Sequence, residues 1–148
     1  MLTLAVSALA FRTTRPVVRS SRLCFSSTSR MCAPESVTGV VYSADADRPT
    51  VQLFTKAGCT LCDVAKGVLA SASAESPHTL EAIDITDADK AEWWDKYKYD
   101  IPVLHINNVY WAKHRIQLDE TLQALASAKD GSLSPSPGEP DAARLERK

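Results

Sequence analysis

Cys59 and Cys62, separated by Thr60-Leu61, are the residues of this chain whose type and spacing could do chemistry. Two thiols one helical turn apart can cycle between dithiol and disulfide, and the attacking species in that exchange is a thiolate. A C-x-x-C spacing alone says little. Its setting says more: Val51-Gln52-Leu53-Phe54 reads as a short apolar strand, Gly58 closes the loop after it, and Cys59 then falls at the start of a helix. There the unpaired N–H groups and the positive end of the helix dipole stabilise a thiolate. Lys56, three residues earlier, adds a positive charge nearby. Cys62, one turn deeper, lacks such donors and is placed to attack a mixed disulfide on Cys59 and release the product. Two other uses stay open, an inert buried pair and half of a zinc site. Zinc needs about four ligands, yet there is no second C-x-x-C and His78, His105 and His114 are scattered, so no metal is expected.

The elements that must hold this pair follow from periodicity. After the first strand, Leu61, Ala65, Val68, Leu69 and Ala72 mark one face of a helix. Thr79 to Ile85 is a second strand. Asp87 or Thr86 can cap a helix carrying Ala91, Trp94 and Tyr97. Val103 to Ile106 and Val109 to Trp111 flank Asn107-Asn108, which suits a tight hairpin because asparagine tolerates positive φ. Leu118, Leu122, Leu125 and Ala126 mark a last helix that ends before Gly131. The order is β-α-β-α-β-β-α, an α/β unit with a central mixed four-stranded sheet flanked by helices. Trp93, Trp94, Tyr97 and Tyr99 form an aromatic group, read as helix packing with at most one ring bordering a groove.

Composition bounds what surrounds this unit. The 148 residues carry 17 basic and 18 acidic groups, a net charge of minus one, which gives no electrostatic case for nucleic-acid binding. No apolar run approaches the roughly 20 residues that would span a bilayer, so no membrane is expected. The balance hides an asymmetry. Residues 1–34 hold Arg12, Arg15, Arg19, Arg22 and Arg30, no acid and many Ser and Thr, the composition of an organellar presequence. Mitochondrion or plastid is expected, with the mitochondrion preferred, and the cytoplasm if the leader is no address. Residues 35–49 read as a linker with at most a short extended piece near Val40 to Tyr42. Residues 50–130 form the folded unit, and residues 131–148, with Pro135, Pro137 and Pro140, read as a disordered tail.

Lys56-Ala57-Gly58-Cys59-Thr60-Leu61-Cys62 after a strand, Ile101-Pro102-Val103-Leu104-His105 before another, and Lys113-His114-Arg115-Ile116 together resemble the glutaredoxin-like proteins of the thioredoxin-fold superfamily, over about Thr50 to Lys129. The resemblance implies a thioredoxin-like fold, a cis bond before Pro102, and a substrate contact made by the Ile101 backbone beside Lys56 and Pro102. Ordinary glutaredoxins have Pro-Tyr between the cysteines, where Thr60-Leu61 stands here. Ala112-Lys113 replaces their Gly-Gly, and Ile116 replaces the Asp that holds the glutathione amino group. Lys113, His114 and Arg115 offer an anion contact instead, or only a solvated basic strand end.

The expected function is a thiol-disulfide oxidoreductase acting on protein or glutathione mixed disulfides through Cys59 and Cys62, as a monomer. No cofactor is bound tightly, and glutathione serves as reductant. Two alternatives remain: a glutathione-dependent carrier of a [2Fe–2S] cluster held by Cys59 of two protomers, and a catalytically idle docking module that keeps the fold.

Overall fold

The strand that leads to the cysteines lies at the centre of its sheet in the computed structural model, which describes residues 35–146. The expected presequence over residues 1–34 lies outside the described residues. The strands are β1 (Gly39–Tyr42), β2 (Thr50–Thr55), β3 (Thr79–Asp84), β4 (Val103–Ile106) and β5 (Val109–Lys113), in the order β1-β3-β2-β4-β5. Helix α1 (Thr60–Glu75) crosses from β2 to β3, which are parallel, while β1, β4 and β5 each run antiparallel to their neighbours. A 3-10 turn (Ala88–Lys90) precedes α2 (Ala91–Tyr97), and α3 (Leu118–Lys129) and α4 (Ala142–Glu146) complete the chain. The mixed α/β sheet with flanking helices is as expected, but it has five strands rather than four. No helix among the described residues is long and apolar enough to cross a membrane.

Side chains alternate between the two faces of the sheet because the strand repeat is two residues. Val51, Leu53, Leu80, Leu104 and Ile106 fill one face and pack with Ala65, Leu69 and Ala72 of α1 and Ala124, Leu125 and Ala128 of α3. Phe54, Ile83, Val103 and Tyr110 fill the other, under Tyr97 and the half-buried Trp93 of α2. Asn107 and Asn108 both take left-handed backbone, with φ of 51° and 65°, as a two-residue hairpin turn requires.

Five expectations are corrected. The extended piece near Val40 is a full edge strand, because Ser36 and Thr38 donate to the Asp87 carboxylate and the Val37 N–H donates to Asp84. Burial favours the neutral form of Asp84, yet hydrogen bonds from Thr86 and Val37 hold its carboxyl below the usual range. Asp87 is thus spent on this segment and gives no side-chain cap to the turn that follows. On α1, Leu61 is 41% exposed and Cys62 takes its place on the buried face. On α2 the inward face is Trp93 and Tyr97, while Trp94 and Ala91 point outward.

The fifth concerns residues 131–148, read from composition as a disordered tail. In the structure this segment leaves α3 and donates from the Ser136 N–H to the Tyr110 carbonyl on the β5 edge. It then reaches α2, where Glu139 pairs with Lys96 at 2.5 Å and Glu146 with Lys98 at 2.8 Å. Pro140 and Ala142 are buried. The segment lacks a core of its own and is held by polar partners at α2 and β5, by the buried Pro140 and Ala142, and by Leu133 against the first core cluster.

Candidate active site

The loop between β2 and α1 delivers the cysteines. Gly58 at φ of 71° makes the turn in the left-handed region, and Cys59 follows as the N-cap of α1 in extended backbone. Its Sγ accepts a hydrogen bond from the Cys62 N–H at 3.3 Å. The two sulfurs are joined in a disulfide with a Cα separation of 5.3 Å. Cys59 is half-buried, whereas Cys62 is fully buried against the sheet. On reduction, a charge at Cys59 Sγ lies on the helix N-terminal N–H groups, which favours thiolate there over the sequestered Cys62. The solvent-facing sulfur is therefore the one able to meet an incoming disulfide.

Lys56 lies exposed in the same loop and makes no ion pair among the described residues. Thr60, Leu61 and Val64 are also exposed, so two apolar side chains stand on the surface beside the disulfide, among the polar Lys56, Thr60 and Asp63. Among the described residues no group of three or more His, Cys, Asp or Glu side chains is placed to hold a metal ion.

The register that sets Phe54 opposite Val103 carries Pro102 to the level of Thr55, four residues before Cys59. The Ile101–Pro102 bond is cis. The Ile101 backbone makes no hydrogen bond among the described residues, and the Pro102 carbonyl accepts from the His114 N–H at 2.7 Å. The fold thus brings Lys56, Cys59, Cys62, Ile101 and Pro102 to one end of the sheet, at the carboxyl end of the central strand β2.

The basic trio lies otherwise. Lys113 Nζ is 2.6 Å and His114 Nε2 3.3 Å from the same oxygen of Asp100, so both are turned onto the chain's own carboxylate. Of the three, Arg115 alone is exposed without an ion pair among the described residues. Asp100 was missed from sequence; its place directly before Ile101-Pro102 was the signal that could have marked it. Its pairs fasten the segment before Pro102 to the end of β5. Ile116, standing where ordinary glutaredoxins carry an Asp, is buried in the first core cluster.

The model of the Glutaredoxin-like domain (DUF836) matches residues 50–126. The chain is 36% identical over 74 residues, 47% of its length and 68% of the relative's, to the glutaredoxin-like protein YDR286C homolog of Dictyostelium discoideum. A structural match covers 62% of this chain and 81% of thioredoxin O2 from Arabidopsis thaliana in the oxidised state, at 22% identity and a TM-score of 0.39. With its matched span covering β2 through most of α3 and both cysteines, the chain belongs to the glutaredoxin-like family.

Proposed function

We propose that this protein is a thiol-disulfide oxidoreductase in which Cys59 is the nucleophile and Cys62 the resolving thiol. The observation that carries this reading is the half-exposed Cys59 at the α1 N-terminus, joined to a fully buried Cys62. Starting from the reduced pair, Cys59 thiolate attacks one sulfur of a substrate disulfide. A Cys59–substrate bond forms and the other substrate half leaves as a thiolate. Cys62, having lost its proton, then attacks Cys59 Sγ, giving the Cys59–Cys62 disulfide and releasing the second substrate thiol. The substrate gains two electrons and the enzyme loses two. Glutathione or a reductase returns them. The substrates proposed are protein or glutathione mixed disulfides, met by the monomer in an organelle if residues 1–34 act as its address.

The free Ile101 backbone beside Pro102 supports strand-like pairing with a substrate, and exposed Lys56 supports attraction of a negatively charged one. Single substitutions test the mechanism. Cys59→Ser is expected to abolish disulfide reduction, while Cys62→Ser retains attack and accumulates a mixed disulfide, read as added mass in intact-protein mass spectrometry. Full turnover by Cys59→Ser would overturn the assignment.

A further inference from the structure

Away from the cysteines, on the α2 face of the sheet, a cavity of about 370 Å³ has no part in this chemistry. Its floor is a polar row across three strands at one register level. Glu81 on β3 lies opposite Gln52 on β2, and Gln52 opposite His105 on β4. At a strand spacing of about 4.8 Å the row spans roughly 10 Å. Phe54 and Trp93 form an aromatic wall, with ring centroids 4.6 Å apart, and Asn108 borders the row beyond His105.

The hydrogen bonds fix what the row can accept. His105 is only 5% exposed, and its Nε2 lies 2.9 Å from the Tyr97 hydroxyl oxygen. That hydroxyl has one proton and donates it to Glu139 at 2.7 Å. Burial opposes the charge on Glu139, but hydrogen bonds from Lys96 and Tyr97 keep it ionised. The Tyr97 oxygen therefore accepts from His105, and Nε2 carries the histidine proton. Burial holds His105 neutral, so Nδ1 presents a lone pair that finds no donor among the described residues. Glu81 and Gln52 likewise make no side-chain hydrogen bond or ion pair among the described residues. Two acceptors, the Glu81 carboxylate and His105 Nδ1, thus flank a free carboxamide, next to aromatic rings.

Charge narrows the ligand further. The lining carries two lysines, Lys90 and Lys96, against Glu81 and Glu139, and both lysines are already paired, Lys96 with Glu139 and Lys90 with Asp89 beside the cavity, so neither is free to hold an anion. This favours an uncharged ligand over a phosphate or a carboxylate. A cavity of this volume is within the range that holds a small organic molecule. We propose that it binds a neutral, planar nitrogen heterocycle presenting N–H donors along one edge to Glu81, Gln52 and His105.

Guanosine is a suitable probe, because its ring N1–H and amino group are adjacent donors, and 1-methylguanosine is its control. The full-length protein is titrated with each while imidazole and amide NMR signals are followed. Saturable guanosine binding is expected to shift His105 signals, and 1-methylguanosine to bind about tenfold more weakly or less, the scale of one lost hydrogen bond to a charged acceptor. Glu81→Leu and Gln52→Leu, each first checked for native amide spectra, are each expected to weaken guanosine at least about tenfold. Cys59→Ser is expected to bind as the parent does. No saturable binding up to about 5 mM, weaker than any specific site of this size, would overturn the proposal. So would binding that neither substitution weakens.

Discussion

The two faces of one sheet behave as two materials. Val51 and Leu53 look toward α1 and α3, into a core whose buried members are all apolar; Gln52 and Phe54, the residues between and beside them, look toward α2, where Tyr97 is hydrogen-bonded to both His105 and Glu139. A two-residue repeat lets the same strands carry both. The apolar face ties the sheet to α1, whose first turn holds the cysteines, so rigidity at Cys59 is set there. The α2 face spends buried volume on hydrogen-bonded polar groups, which stabilise less per residue but can recognise a ligand.

Substitutions can separate the two. The largest loss is expected on the apolar face: Leu69→Ala or Leu53→Ala, both fully buried, should cost about 2–5 kcal/mol in denaturant unfolding through the cavity each leaves. Tyr97→Phe keeps the ring but removes the hydroxyl shared by His105 and Glu139, and should cost about 1–3 kcal/mol through unpaired polar groups. If Tyr97→Phe is neutral, the α2 face is held by packing as well and the contrast fails.

A pH series sharpens the same contrast. His105 is held below the ordinary histidine value of about 6.5 by burial. His78 is lowered too, by burial against the opposing effect of its bond to the Ser76 carbonyl. Below pH about 6.5 the unfolded chain takes up protons that the folded chain refuses, so stability is present above that pH and is lost as pH falls through it. Thermal unfolding should show a midpoint that drops from pH 7 to pH 5, and the drop should shrink in a His78→Phe variant. His78 donates from Nδ1 to the Ser76 carbonyl, so its Nε2 accepts from the Tyr42 hydroxyl at 2.7 Å, and burial there raises the tyrosine to about 12. The smallest effect is expected at the surface Lys98–Glu146 pair, where solvent screens the charges and Glu146→Gln should shift the unfolding midpoint least of these substitutions.

Much of the dithiol site was legible in sequence because its determinants are local. Gly58 before Cys59, the strand before that, and Ile101-Pro102 before β4 are all read within a few residues, and the hairpin at Asn107-Asn108 is equally self-contained. What was not legible depends on distant partners. The β1 strand needs Asp84 and Asp87, some 47 to 51 residues away, to be held at the edge. Glu139 finds Tyr97 at a separation of 42 residues, so a composition rich in Pro and Ser gave no sign that the segment docks. The helix faces slipped by a single residue for a related reason. Leu61 and Cys62, or Trp93 and Trp94, are both apolar neighbours, and only the sheet beneath decides which one turns inward. The polar row of Glu81, Gln52 and His105 exists only in the register of three strands.

The account rests on Cys59 and Cys62 acting as a redox couple. A titration of the purified protein across thiol–disulfide buffers, with alkylation of free thiols and mass spectrometry of the peptide carrying both cysteines, measures this directly. The expected result is a single two-electron transition between the doubly alkylated and the unalkylated peptide, with Cys59 alkylated first and faster than a free thiol at neutral pH. A peptide that stays doubly alkylated under oxidising buffer, or a Cys59 no more reactive than Cys62, would contradict it.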